Sequence, residues 1–170
     1  MPIRGNLLKV LKQNKEHLKH NNYEVIYYNL NEAYSEGILD PDHIGEFTSW
    51  VLSKGKDPMQ VLSFVPPNYL YQEQMAKELC VPEGTRIIYD YTASGSNIEV
   101  LYLPKTIELI GEEAFRGCEK LRKIVYGGTL TSFKRIKIKN FAFKDCYVLN
   151  RLEASDGIVN PESYLDLFNY

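Results

Sequence analysis

The stretch Ala114-Phe115-Arg116-Gly117-Cys118 recurs 28 residues later (114 to 142) as Ala142-Phe143-Lys144-Asp145-Cys146. The residues that follow also repeat, because Leu121 and Leu149 each stand three positions after the cysteine, and a degenerate earlier copy carries Ile98 there. The intervals are 23 residues (98 to 121) and 28 residues (121 to 149), so about five residues are inserted in the later one. Sequence periods of this length are typical of solenoids, in which each repeat buries its apolar face only against its neighbours.

The repeated pattern resembles the BspA-type leucine-rich repeat, which reads Ile-x-x-Ile-Gly-x-x-Ala-Phe-x-x-Cys-x-x-Leu-x-x-Ile. Residues 103–126 match it closely, at Pro104, Ile107, Ile110, Gly111, Ala114, Phe115, Cys118, Leu121 and Ile124. The later copy keeps Ala142, Phe143, Cys146, Leu149 and Leu152, and the earlier one keeps Val81-Pro82, Ile88, Ile98 and Leu101. The resemblance covers residues 81–157 and implies a short solenoid that binds other molecules more often than it catalyses reactions.

Residues 1–80 match no family pattern, but their apolar spacing and breakers are typical of helices. Asp40 can cap a helix whose first residue is Pro41. The segment from Tyr23 fits both strand alternation and helical spacing, and Asn31-Glu32-Ala33 favours the helix. The sequence therefore predicts helices over residues 6–19, 23–34, 41–53, 57–64 and 68–79.

These patterns together predict an α+β protein. A helical N-terminal subdomain, residues 1–80, is expected to stack on and cap a short BspA-type leucine-rich-repeat solenoid over residues 81–157. The tail, residues 158–170, carries Tyr164, Leu165 and Phe168 at helical spacing. It is expected to form a C-terminal helix that covers the open end, because terminal repeats must hide their apolar edges.

Composition narrows the possible classes of protein. The chain has 170 residues, of which 44% are hydrophobic, and contains no apolar run of about 18 residues that could span a membrane. A lysine-rich N-terminal stretch and three cysteines without a pairing framework point to a cytoplasmic protein. The net charge of −2 is unevenly spread: positions 116–151 carry ten bases and two acids, whereas positions 20–115 carry fifteen acids and five bases.

Residue types that carry out catalysis or bind metals show no convincing arrangement. His17 and His20 stand three apart on a predicted helix, but no third metal ligand accompanies them. Cys118 and Cys146 occupy the same repeat position, which favours buried thiols over nucleophiles. Neither a phosphate-binding loop nor a dinucleotide fingerprint is present. We therefore expect no enzyme, cofactor or metal site, although residues 1–80 leave an unrecognised active site open as an alternative.

The repeat places certain positions of each strand on the outside. These positions are Glu99, Val100 and Tyr102, then Arg122, Lys123 and Val125, then Asn150, Arg151 and Glu153. Stacked repeats align such residues into a ladder. We expect a protein partner, with an acidic surface, to bind at Glu99, Tyr102, Arg122, Lys123, Val125, Asn150 and Arg151.

The expected function is non-catalytic protein binding inside a cell. By analogy, the small size and the composition rich in Lys, Asn, Tyr and Ile suit a phage or mobile-element inhibitor of a host protein, such as a defence system. A nucleic-acid binder is the main alternative, through the basic stretch Lys134, Arg135, Lys137 and Lys139 beside Phe133 and Phe141. The acidic middle of the chain could instead mimic DNA. The partner's identity and the oligomeric state do not follow from the sequence.

Overall fold

The computed structural model describes residues 3–54 and 64–161 and shows a mixed α/β protein. Its helices are α1 Gly5–Gln13, α2 Lys15–Lys19, α3 Tyr23–Ser35, α4 Pro41–Ser53 and α5 Leu130–Phe133. Its strands are β1 Phe64–Val65, β2 Glu78–Cys80, β3 Ile87–Ile88, β4 Val100–Leu103, β5 Leu109–Ile110, β6 Lys123–Tyr126, β7 Lys137–Ile138, β8 Arg151–Ala154 and β9 Gly157–Val159.

Asn14 divides the first predicted helix into α1 and α2. Its side-chain amide donates to the Val10 carbonyl oxygen at 2.8 Å and accepts from Asn29 Nδ2 at 2.6 Å. A side chain that bonds to nearby backbone groups competes with the helix, so the chain turns at this residue. The helices predicted over 23–34 and 41–53 are confirmed, and Asp40 Oδ1 accepts from the His43 amide at 3.2 Å, as a helix cap should.

The helices share an aromatic core with the start of the sheets. The ring of Tyr27 packs edge-on against Phe47 at 5.2 Å and against Phe64, the first residue of β1, at 5.8 Å. The Tyr27 hydroxyl is satisfied by Thr48 Oγ1 at 3.0 Å. The core of the helical part therefore includes the first residue of β1.

The strands form two sheets whose pairing follows the sequence repeat. Strands β1, β3, β5 and β7 are parallel neighbours in that order, so that Phe64 pairs with Ile87, Ile87 with Leu109, and Leu109 with Lys137. Strands β2, β4, β6 and β8 are likewise parallel, and β9 closes this second sheet by antiparallel pairing with β8. The insertion in the last repeat includes helix α5.

The repeated Ala-Phe-x-x-Cys motif lies in the main core. Phe115 and Phe143 are fully buried and stack with ring centroids 5.2 Å apart and planes 14° from parallel. The thiol of Cys118 donates to the Ala93 carbonyl oxygen at 3.0 Å, and that of Cys146 to the Phe115 carbonyl oxygen at 3.1 Å. The hydrogen bond with Cys118, together with burial, raises the pKa of the Cys146 thiol. The predicted packing of these residues is confirmed.

Four turns that share the same two left-handed positions stack alongside the sheets. Each has two left-handed residues, at Asn68 and Gln72, Tyr91 and Gly95, Glu113 and Gly117, and Phe141 and Asp145. The amide between each pair donates to the following turn: Leu70 to Thr92 at 2.6 Å, Ala93 to Ala114 at 2.7 Å, and Phe115 to Ala142 at 2.7 Å. The turns form a hydrogen-bonded column of their own.

The helix predicted over residues 68–79 is wrong. Residues 68–72 form the first turn of this column, and residues 78–80 form β2. The apolar spacing of this segment fits a helix, but hydrogen bonds to the next turn override that local preference. Gln72 N–H, for example, donates to the Ser94 carbonyl oxygen at 2.9 Å. The helix predicted over 57–64 and most of the C-terminal helix over 158–170 lie outside the described residues. The first residues of that tail belong to β9.

A tyrosine pair joins the helices to the second turn. Tyr34 Oη donates to Tyr91 Oη at 2.6 Å, and their rings meet edge to face at 5.3 Å. Burial, followed by this hydrogen bond, raises the pKa of Tyr91 above its ordinary value of 10.0. Phe64 of β1, which packs on Tyr27 of α3, also contacts Tyr89, with ring centroids 5.3 Å apart.

Replacing Phe115 by Ala should lower the free energy of unfolding by about 3–5 kcal/mol, because it opens a cavity beside Phe143. Chemical denaturation measures the change. Tyr147→Ala is the control, since Tyr147 is 73% exposed and should change stability by no more than about 0.5 kcal/mol. A loss below about 1 kcal/mol for Phe115→Ala would contradict the stacking.

Stability should fall as the pH rises above about 10, partly because of Tyr91. Its pKa is raised in the folded protein, so its stabilising effect is complete below pH 10 and is lost as the phenol ionises at higher pH. Denaturation of Tyr91→Phe between pH 9 and 11 should show a shallower loss than the wild type. Tyr28→Phe, on an exposed position of α3, is the control; equal slopes for all three proteins would refute this role.

Candidate protein-interaction surface

The second sheet aligns outward-facing residues into three rows. Buried Leu79, Leu101, Ile124 and Leu152 occupy one register and point into the core. Alternation along a strand turns the residues on either side of them to the opposite face. Glu78, Val100, Lys123 and Arg151 form one such row, and Cys80, Tyr102, Val125 and Glu153 form another.

A third row precedes the strands. The amide of Glu99 donates to the Lys77 carbonyl oxygen, that of Arg122 to Glu99, and that of Asn150 to Arg122, at 2.6, 2.9 and 3.3 Å. The structure thus brings together all seven residues predicted to bind a partner: Glu99, Tyr102, Arg122, Lys123, Val125, Asn150 and Arg151. We call the three rows the strand face. Whether a partner binds there stays a prediction.

One residue predicted to be exposed is not. Val100 is only 4% exposed, although the register places it in the outward row. It lies between Glu78 and Lys123, whose longer side chains flank it in that row. The repeat pattern gives the direction of a side chain but not the length of its neighbours, so this prediction is wrong for Val100.

Charges on the strand face are paired within the protein. Glu153 Oε1 lies 2.7 Å from Arg151 Nε and 3.8 Å from Lys123 Nζ, and Lys77 Nζ lies 4.0 Å from Glu99 Oε2. Lys123 and Arg151, two of the basic residues expected to meet an acidic partner, therefore already lie beside a carboxylate of the protein itself. The face as a whole carries mixed charge. Within residues 3–54 and 64–161, Arg122 has no ion-pair partner and is exposed.

The sequence did not predict the first strand of this face. Lys77 and Glu78 fall in the helix predicted over 68–79, and Cys80 follows it, yet these three residues begin the three rows. The signal that identifies them is spacing, because Leu79 stands 22 residues before Leu101 (79 to 101), close to the earlier repeat interval.

The basic stretch belongs to a different part of the structure. Lys134 and Arg135 follow α5, Lys137 starts β7, and all are exposed. Phe133 is fully buried, so its ring cannot stack on a nucleotide base. The Phe141 ring is partly buried and lies 5.0 Å from Lys144 Nζ. Neither aromatic residue therefore offers an unoccupied stacking platform.

His17 lies on α2, and His20 follows the last residue of that helix. His20 Nε2 is 4.0 Å from Glu16 Oε2, and both side chains are exposed. In the described part of the chain, no three His, Cys, Asp or Glu side chains are grouped closely enough to hold a metal ion. Cys80 is exposed and unpaired, whereas Cys118 and Cys146 are buried.

Comparison with known proteins adds no further constraint. No family model, curated protein or solved structure matches the chain. None of the helices among the described residues combines the length and apolarity needed to cross a bilayer.

Replacing Glu153 by Gln should lower the free energy of unfolding by less than about 1 kcal/mol at low salt, because it leaves Lys123 and Arg151 facing each other unscreened. The difference from wild type should shrink at high salt, where the repulsion is screened. Urea denaturation at two salt concentrations measures both effects. Glu112→Gln, at an exposed turn position, is the control, and a loss that does not depend on salt would refute the charge argument.

Proposed function

We propose that this chain is a non-catalytic protein-binding module built on a short leucine-rich-repeat solenoid of the BspA type. The observation that carries the proposal is the strand face, where successive parallel strands hold their outward side chains in one register. Such a surface is formed before a partner arrives, so little conformational entropy is lost on binding.

Three features support the solenoid. Both parallel sheets pair each strand with its equivalent in the next sequence copy. The column of turns repeats the same left-handed positions four times among the described residues. The antiparallel strand β9 covers one edge of the second sheet, as terminal elements of repeat proteins do.

The chemistry of the strand face suits a protein partner. Tyr102 and Val125 stand side by side in one row and supply apolar contact area, while Arg122 supplies an exposed guanidinium. Tyrosine and arginine are enriched at protein interfaces. Because Glu78, Glu99 and Glu153 share the face, we propose a partner with mixed charges in place of the acidic surface expected from the sequence.

The strand face is too small to form a stable interface by itself. Four strands about 4.8 Å apart, with about four residues each at about 3.3 Å per residue, cover roughly 250 Å². A standard interface buries about 800 Å² on each partner. A stable complex therefore requires contacts beyond the strand face.

The biological role remains the one expected by analogy, an inhibitor encoded by a phage or mobile element that binds a host protein inside the cell. A host defence protein is one such target. The composition and small size of the chain support this role.

Affinity capture tests the proposal. The immobilised chain is incubated with bacterial lysate, and bound proteins are quantified by mass spectrometry. The variant Tyr102→Ala/Arg122→Glu changes two residues of the strand face, neither of which forms an ion pair with residues 3–54 or 64–161. It should bind the captured protein at least tenfold more weakly, which corresponds to about 1.4 kcal/mol.

The matched control is Tyr28→Ala/Lys139→Glu, which makes the same changes at exposed positions on α3 and after β7. It should bind like the wild type. Equal binding by both variants would place the interface elsewhere. Titration with DNA and RNA oligonucleotides separates the nucleic-acid alternative, since an affinity that falls steeply with salt would indicate phosphate binding and refute our proposal.

A further inference from the structure

A groove of about 740 Å³ lies on the helical part of the protein, away from the strand face. Its apolar lining includes Ile3, Leu8 and Leu18 together with the indole of Trp50 from α4. Lys12 and Lys15 also line the groove. None of its lining residues belongs to the strand face.

Helix α1 carries more apolar surface than the core requires. Leu7, Val10 and Leu11 are buried and hold the helix against the other helices. Leu8, one position further round the helix, is 36% exposed and lines the groove. An ordinary surface helix has a single apolar stripe, and a concave apolar patch next to it is typical of a binding site.

The charge around the groove selects an anionic ligand. Among the described residues, neither Lys12 nor Lys15 has an ion-pair partner. Lys54 Nζ lies 5.1 Å from the centre of the Trp50 ring. It brings a third cation close to this wall of the groove. A second hollow shares Ile3 and Trp50 with the groove. Among its described lining residues, Glu46 is the only one with a carboxylate.

We propose that this groove binds an amphipathic helix of a partner protein, with its apolar side chains on Leu8, Leu18 and Trp50 and its carboxylates facing Lys12 and Lys15. Helix-in-groove recognition of this kind uses residues spaced i, i+3, i+4 and i+7. The concave shape favours the ridge of a helix over a flat lipid surface. The groove is a second docking surface and does not depend on the strand face.

Trp50 is the only tryptophan of the chain, so its fluorescence reports on the groove directly. The probe is a designed 18-residue helical peptide without aromatic residues, with Leu at i, i+3, i+4 and i+7 and Glu beside them. A second peptide has Lys in place of every Glu. The Glu peptide should shift the Trp50 emission to shorter wavelength and bind at least tenfold more tightly than the Lys peptide.

Two variants test the residues. Lys12→Glu/Lys15→Glu should reverse the preference between the peptides, and Leu8→Ala should weaken binding of the Glu peptide several-fold. Lys120→Glu/Lys139→Glu makes the same charge change at exposed positions outside the helices and should bind like the wild type. Circular dichroism checks that each variant is folded. The strand-face variant Tyr102→Ala/Arg122→Glu should also bind the Glu peptide normally, so the two proposals fail separately.

Equal affinity for both peptides, or an unchanged preference in Lys12→Glu/Lys15→Glu, would overturn the proposal. Titration with phosphatidylserine vesicles tests whether the groove binds a membrane surface instead. A shift of Trp50 emission with these vesicles but not with the Glu peptide would identify a membrane-surface site and overturn the helix-binding groove as well.

Discussion

Hydrogen bonds between successive turns are the interaction on which the rest of the structure depends. The Phe115 amide donates to the Ala142 carbonyl oxygen at 2.7 Å, and left-handed residues stand two positions before and two positions after Phe115, at Glu113 and Gly117. Gly95 and Gly117 adopt that conformation without steric cost, whereas Gln72 and Asp145 adopt it with a side chain attached. With the turns held in place, the Phe115 and Phe143 rings stack and the buried thiols find carbonyl acceptors.

The same constraint produces the surfaces proposed for binding. Because the turns hold the strand ends in place, they determine the register of the strands. This register places outward side chains such as Tyr102 and Val125 side by side. The helices pack on the first strand through Phe64, and the groove is lined by residues of α1 and α2 together with Trp50 of α4. The strand face and the groove therefore sit on one scaffold, and a partner that contacts both would reach the area that the strand face lacks.

The sequence predicted what the repeat itself encodes. Identical residues at Phe115 and Phe143 implied a shared environment, and Asp40-Pro41 marked the start of α4 correctly. The first turn, residues 68–72, was not predicted, because Leu70 stands where Phe115 stands in the third turn and no cysteine follows it. Only the spacing of the repeat indicates this turn. The pairing of Glu153 with Lys123 was also missed, because it joins neighbouring strands and depends on side-chain reach. The groove combines residues from separate helices, which periodicity within one helix cannot reveal.

Native-state hydrogen exchange of the Phe115 and Gly117 amides tests the central claim most directly. Both donate to the next turn, and both lie outside any helix or strand. If the column of turns holds the structure together, they should exchange only on global unfolding, with the same opening free energy as the Ile124 amide in the middle of β6. Exchange as fast as that of an exposed turn amide, while Ile124 stays protected, would contradict the account.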